Sequence, residues 1–156
     1  MTIVVENGTN VPGANSYASE AALAAYASAR GVSITGNVAE ILIKAMDALE
    51  SRNFIGSKAN FDQALQWPRL GVQIDGYTIA SNTIPTDLIS SQIELALAID
   101  GGTNPLANQP RETISEKIAG VIEVEYSTSA RSTTYLAAAE SKLSRLVRHG
   151  VRIVRV

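Results

Sequence analysis

The chain has 156 residues, 46% of them apolar and 18% charged, which suits one domain with a core of its own. It has no cysteine and one histidine, so a disulfide framework, a thiolate metal site, a Cys nucleophile and a cluster of imidazole ligands are all excluded. The formal net charge of -2 lacks the positive excess typical of unselective nucleic-acid binding.

Residues 1–18 read as irregular, with an apolar run at Ile3-Val4-Val5 and turn chemistry in Val11-Pro12-Gly13-Ala14-Asn15-Ser16-Tyr17. A first helix is predicted from about Ser19 to Arg30, capped by Ser19, built on alanines and stopped by Gly31. A second follows Asn37, which with Glu40 resembles a capping box. Val38, Ile41, Leu42, Ala45, Met46 and Leu49 form its buried stripe, with Lys44, Asp47 and Glu50 on other faces. Residues 54–83 read as one long connection that holds the only tryptophan, Trp67.

A third helix is predicted with Pro85 as its first residue, running to about Asp100 and ending at Gly101-Gly102. It is apolar nearly all round from Ile93 to Ile99, as a central helix with several neighbours should be. A second loop covers 103–111. A hairpin follows, with Thr113 to Ile118 as its weaker first strand and Val121 to Tyr126 as the second. A last helix spans about Thr133 to His149, with Leu136, Ala139, Leu143 and Leu146 as a narrow seam for one partner helix and Gly150 as its stop.

The fold expected is therefore mainly α: a small bundle of about four helices with long loops, a β-hairpin near 112–126 and a short β-prone C-terminal tail. Residues 1–150 form one domain and residues 151–156 a docking tail. No apolar stretch approaches the ~20 residues of a membrane span, and the N-terminus lacks the features of a secretory signal. The Asn7-Gly8-Thr9 sequon has no meaning without secretion.

Charge is unevenly placed. Residues 1–130 carry seven Lys/Arg and 14 Asp/Glu, whereas residues 131–156 carry six Lys/Arg and one Asp/Glu. An acidic body with a basic end can associate head to tail or dock on an acidic partner. The plain alternative is a solvated helix face whose arginines favour the helix dipole.

Residues suited to chemistry are few. Gly31 and Gly36 have the glycine spacing of a phosphate loop, but Asn37-Val38 stand where Lys and Ser/Thr are needed. Glu123 and Glu125 share a strand face that is best read as solvated. His149, alone of its kind, ends an Arg-rich helix. No enzyme and no cofactor are expected.

Two features concern partners. The tail after Gly150 is β-prone, and its backbone groups need a sheet. It can pair with Ile3-Val4-Val5 or add to the sheet edge of another protein. Trp67, in Gln66-Trp67-Pro68-Arg69, either folds back as an apolar plug or anchors an interface.

Several of these segments also carry a resemblance. Val11-Pro12-Gly13-Ala14-Asn15-Ser16-Tyr17, Ala29-Arg30-Gly31, Ala45 to Leu49, Gln66-Trp67-Pro68-Arg69 with Gly71-Val72, Ile84-Pro85, Glu94-Leu95-Ala96-Leu97 and Glu116-Lys117 occur in the order and spacing of a family of small tailed-bacteriophage proteins. That family often carries the label DnaT-like single-stranded DNA-binding protein, and it is similar to head-tail connector adaptors. One departure is Val32-Ser33-Ile34, where many relatives have a tryptophan.

The resemblance implies a structural virion protein at the head-tail junction, assembled in the host cytoplasm. Such subunits form a ring, commonly of twelve copies, beneath the portal, with DNA passing through the lumen and no membrane involved. On this reading Arg145, Arg148, Arg152, Ile153, Val154, Arg155 and Val156 face the portal protein. Trp67, Pro68 and Arg69 face a neighbouring subunit or the next tail or stopper component. The alternative is a replication accessory that binds single-stranded DNA. Scarce aromatics and an acidic body favour the adaptor, because DNA slides past a wall that does not hold its phosphates.

Overall fold

The computed structural model describes residues 2–106, 113–118, 122–126 and 137–148. Among these residues four helices carry the fold: α1 (Glu20–Ser28), α2 (Val38–Glu50), α3 (Thr86–Asp100) and α4 (Ala137–Leu143). Three small antiparallel pairs accompany them: β1 (Ser57–Lys58) with β2 (Arg69–Leu70), β3 (Gln73–Ile74) with β4 (Tyr77–Thr78), and β5 (Thr113–Ile118) with β6 (Ile122–Tyr126). The architecture is mainly helical with long loops, as the sequence implies. No helix among the described residues is long and apolar enough to cross a membrane.

The helix ends follow from local chemistry. The Ser19 side chain accepts the Ala22 N–H at 3.1 Å, and Asn37 accepts the Glu40 N–H at 3.2 Å. Pro85 is a correction: its backbone is extended, so it is the N-cap of α3 and not its first helical residue. Gly102 at φ +90° ends α3, with Thr103 N–H returning to the Ala98 carbonyl at 2.9 Å. The α1–α2 connection is held by Asp100, whose carboxylate accepts the Thr35 and Gly36 N–H groups at 3.0 and 2.6 Å. These backbone bonds hold its proton affinity below the usual aspartate value.

Helix α3 packs against α1, α2 and α4, which explains its apolar run. Ala139 and Leu143 of α4, and Leu146 just past its end, are buried, and α4 packs chiefly on α3; Leu136 of the expected seam lies outside the described residues. The α2 stripe is also buried, from Ile41 and Leu42 to Leu49, with Val38 half-buried at its start. Glu50, off the apolar stripe, is nevertheless partly buried and accepts bonds from Tyr17 and Gln66. Burial pushes its carboxyl above the usual glutamate value, against the pull of those bonds.

One buried amide ties the irregular N-terminus to the bundle. Gln92 Oε1 accepts the N–H groups of Tyr17 and Ala18 at 2.9 and 2.8 Å. Its Nε2 donates to Ser16 Oγ at 2.8 Å and to the Leu42 carbonyl at 3.1 Å. Glu6 does a similar job for the first turn, accepting the N–H groups of Gly8, Asn10 and Val11. Val5 pairs with Ser16 in a parallel bridge, so Ile3–Val5 finds a partner in its own N-terminal loop.

Candidate partner-binding surface

Trp67 is fully buried, and its ring meets Phe54 edge-on at 6.1 Å between centroids. Pro68 is buried and Arg69 is 7% exposed. This corrects the expectation that Trp67, Pro68 and Arg69 present themselves to a neighbouring subunit. The indole gains more from the core than from the surface, so it plugs the loop onto the helices.

Arg69 stays charged inside because carbonyls surround it. Its Nε donates to Ile55 O at 2.7 Å, and Nη1 to Gln66 O and Oε1 at 3.1 and 2.9 Å. Its Nη2 donates to Phe54 O and Gly56 O at 3.4 and 3.0 Å. All five N–H groups are thereby used, and no carboxylate among the described residues touches them. Burial, and then the nearby Arg148 cation, lower its proton affinity from the usual arginine value.

Arg52, Arg69 and Arg148 line one polar depression of about 510 Å3, together with Asn53, Phe54 and Gln66. Arg52 is ion-paired with Glu140 of α4. Arg148 is exposed and donates to Gly56 O at 3.2 Å. The end of α4 is stitched down beside it: Arg148 N–H donates to Asn53 O at 2.7 Å, and Val147 pairs with Phe54 in an antiparallel bridge. Three cations from distant stretches of sequence thus converge. Among the residues expected to face a portal, Arg148 joins this site. Arg145 instead pairs with Asp75 at 2.9 Å on the open surface. Arg152, Ile153, Val154, Arg155 and Val156 lie outside the described residues, as do His149 and Gly150.

Sequence reasoning missed what the 54–83 segment does expose. Phe61 is 102% exposed, Tyr77 78% and Leu70 45%. Exposed apolar side chains mark a contact surface where they form one contiguous patch. The signal for Tyr77 was present: Asp75 at φ +52° and Gly76 at φ +84° form a tight hairpin turn, which an Asp-Gly pair favours. That turn lifts Tyr77 off the core.

A second polar cluster joins α1, α3 and α4. Tyr26 donates to Glu94, Lys142 donates to Glu94 at 3.0 Å and to the Tyr26 hydroxyl at 2.9 Å, and Arg30 covers the Tyr26 ring at 3.3 Å. Burial works to raise the Glu94 carboxyl, but the Tyr26 and Lys142 bonds outweigh it and hold it below the usual value. Its groups satisfy one another, so it reads as a structural clasp.

Compared with known proteins, the chain matches one family model over residues 1–156, described as "Putative DnaT-like ssDNA binding protein". No curated protein and no solved structure matches.

Proposed function

We propose that this chain, which belongs to the family described as "Putative DnaT-like ssDNA binding protein", is a non-catalytic structural subunit of a head-tail connector, working by contact with other proteins around a DNA channel. One observation carries the reading. Among the described side chains, Arg30, Arg52, Arg69, Lys142, Arg145 and Arg148 each bond to groups of the same chain. A groove that tracks phosphates needs cations free to meet them. An acidic body most of whose described cations are already engaged by its own groups suits a wall past which DNA moves. The exposed Phe61, Leu70 and Tyr77 suit contact with a neighbouring subunit or tail component.

In this reading the ring, commonly of twelve copies, sits beneath the portal. The basic residues 151–156, with Arg148, grip the portal by strand addition and charge. Deleting residues 151–156 leaves a folded protein that no longer joins capsids. Normal joining after the deletion rejects the docking role.

Single-strand binding is the second reading, and the family's description favours it. Phe61 and Tyr77 supply exposed rings on which bases can stack. A titration with an unstructured oligonucleotide at two salt concentrations separates the two. Micromolar or tighter binding that weakens steeply with salt supports the second reading. Weak binding at both salts supports the connector.

A further inference from the structure

Resting on the connector reading, we propose that the depression lined by Arg52, Arg69 and Arg148 is a carboxylate socket, and that its occupant is an acidic side chain from a second copy of this chain. The site holds three guanidinium groups against one directly paired carboxylate, Glu140. Arg69 is a fixed positive charge whose N–H groups are all used inside, so it supplies field and not donors. Arg52 and Arg148 border the depression with donors to spare, since one bond to Glu140 and one to Gly56 O use only part of each fork. Three guanidinium groups beside the one paired carboxylate of Glu140, with Glu50 also acting on Arg69, leave an excess of positive charge whose repulsion an entering carboxylate relieves.

Charge complementarity argues for the occupant. The chain carries 14 Asp/Glu against seven Lys/Arg over residues 1–130. Glu20, Glu40, Asp47 and Asp62 stand exposed on α1, α2 and the 54–83 segment. A cationic socket on one part of a subunit and exposed carboxylates on another make a head-to-tail contact between unlike surfaces. Repeated with a closing rotation, such a contact gives a ring.

The test uses the full chain with Arg148→Lys, and separately Arg52→Lys, each of which keeps the charge and places an amine in the socket. A carbodiimide joins that amine to a carboxylate in direct contact, releasing the activated oxygen as a urea and forming an amide. The experiment is run at high protein concentration and low salt, and the products are read by mass spectrometry. The result expected is a covalent dimer several-fold more abundant than in the unaltered chain, linking residue 148 or 52 to an Asp or Glu of another copy and suppressed by salt. A dimer yield equal to the unaltered chain, or links to Glu140 of the same chain alone, overturns the proposal. So does an oligonucleotide affinity that collapses on Arg148→Glu, because the socket then takes a phosphate. If Arg148→Glu forms annuli on the portal as well as the unaltered chain does, the socket assignment fails and the connector reading survives. If the unaltered chain forms none, the connector reading itself fails.

Discussion

The Tyr17 hydroxyl accepts the backbone N–H of Trp67 at 3.0 Å while donating to Glu50 at 2.8 Å. This one group joins the N-terminal segment, the end of α2 and the loop that carries the plug. Burial and the facing Glu50 carboxylate push the phenol far above its usual range, so it stays a neutral donor at any ordinary pH. Tyr17→Phe leaves a buried N–H without its acceptor and takes one donor from a partly buried carboxylate. We expect it to lower unfolding free energy by about 1–3 kcal/mol in urea titration, with the m-value unchanged.

Gln92 is the second hub. Gln92→Leu keeps the volume but strips four hydrogen bonds from buried groups. We expect a loss of about 2–4 kcal/mol. Amide hydrogen exchange at Tyr17 and Ala18 should speed up in the variant by more than at α2. Equal acceleration everywhere means that the N-terminal segment is not held by this side chain.

The sequence makes much of this legible, and particular residues show where it stops. Helix periodicity and the Ser19 and Asn37 caps place α1 and α2, because these signals act within a turn of the chain. The apolar run from Ile93 to Ile99 places α3 at the centre for the same local reason. Gln92 sits at the edge of that run, and its four partners come from residues 16–18 and 42, so nothing nearby marks it. Arg69 looks like a surface cation in sequence. Its burial depends on carbonyls of residues 54–56 and 66, which only the folded loop assembles. The convergence of Arg52, Arg69 and Arg148 is likewise a product of tertiary structure.

The Gly56 carbonyl accepts from both Arg69 and Arg148 of the cationic depression. Gly56 takes φ +73°, and a Cβ there lies 2.3 Å from the Leu70 carbonyl oxygen. Gly56→Ala therefore meets both an unfavourable backbone region and a backbone atom that cannot swing aside. We expect a loss of at least about 2 kcal/mol by thermal or urea unfolding, because strain and clash act together. A neutral outcome means that β1 and β2 can separate freely.

The Tyr26–Glu94–Lys142 clasp gives a pH dependence. Glu94 is held below its ordinary value of 4.5, so its contribution is full above that value and is lost as pH falls through the lower folded value. On Lys142 burial works downward, but the bonds to Tyr26 and Glu94 outweigh it and raise the ammonium above 10.5. Its contribution is full below 10.5 and is lost as pH rises through the folded value. Glu94→Gln should flatten the acid limb of the stability curve and lower the plateau by about 1–2 kcal/mol, since the pair is partly exposed. An unchanged acid limb assigns the acid sensitivity to other carboxylates.

This chain, as proposed, assembles around a DNA channel. Negative-stain imaging of the purified protein, alone and mixed with its cognate portal, tests that most directly. We predict an annulus of many copies stacked coaxially on the portal. Dispersed single particles in both samples, from a preparation that binds oligonucleotides tightly, would contradict it.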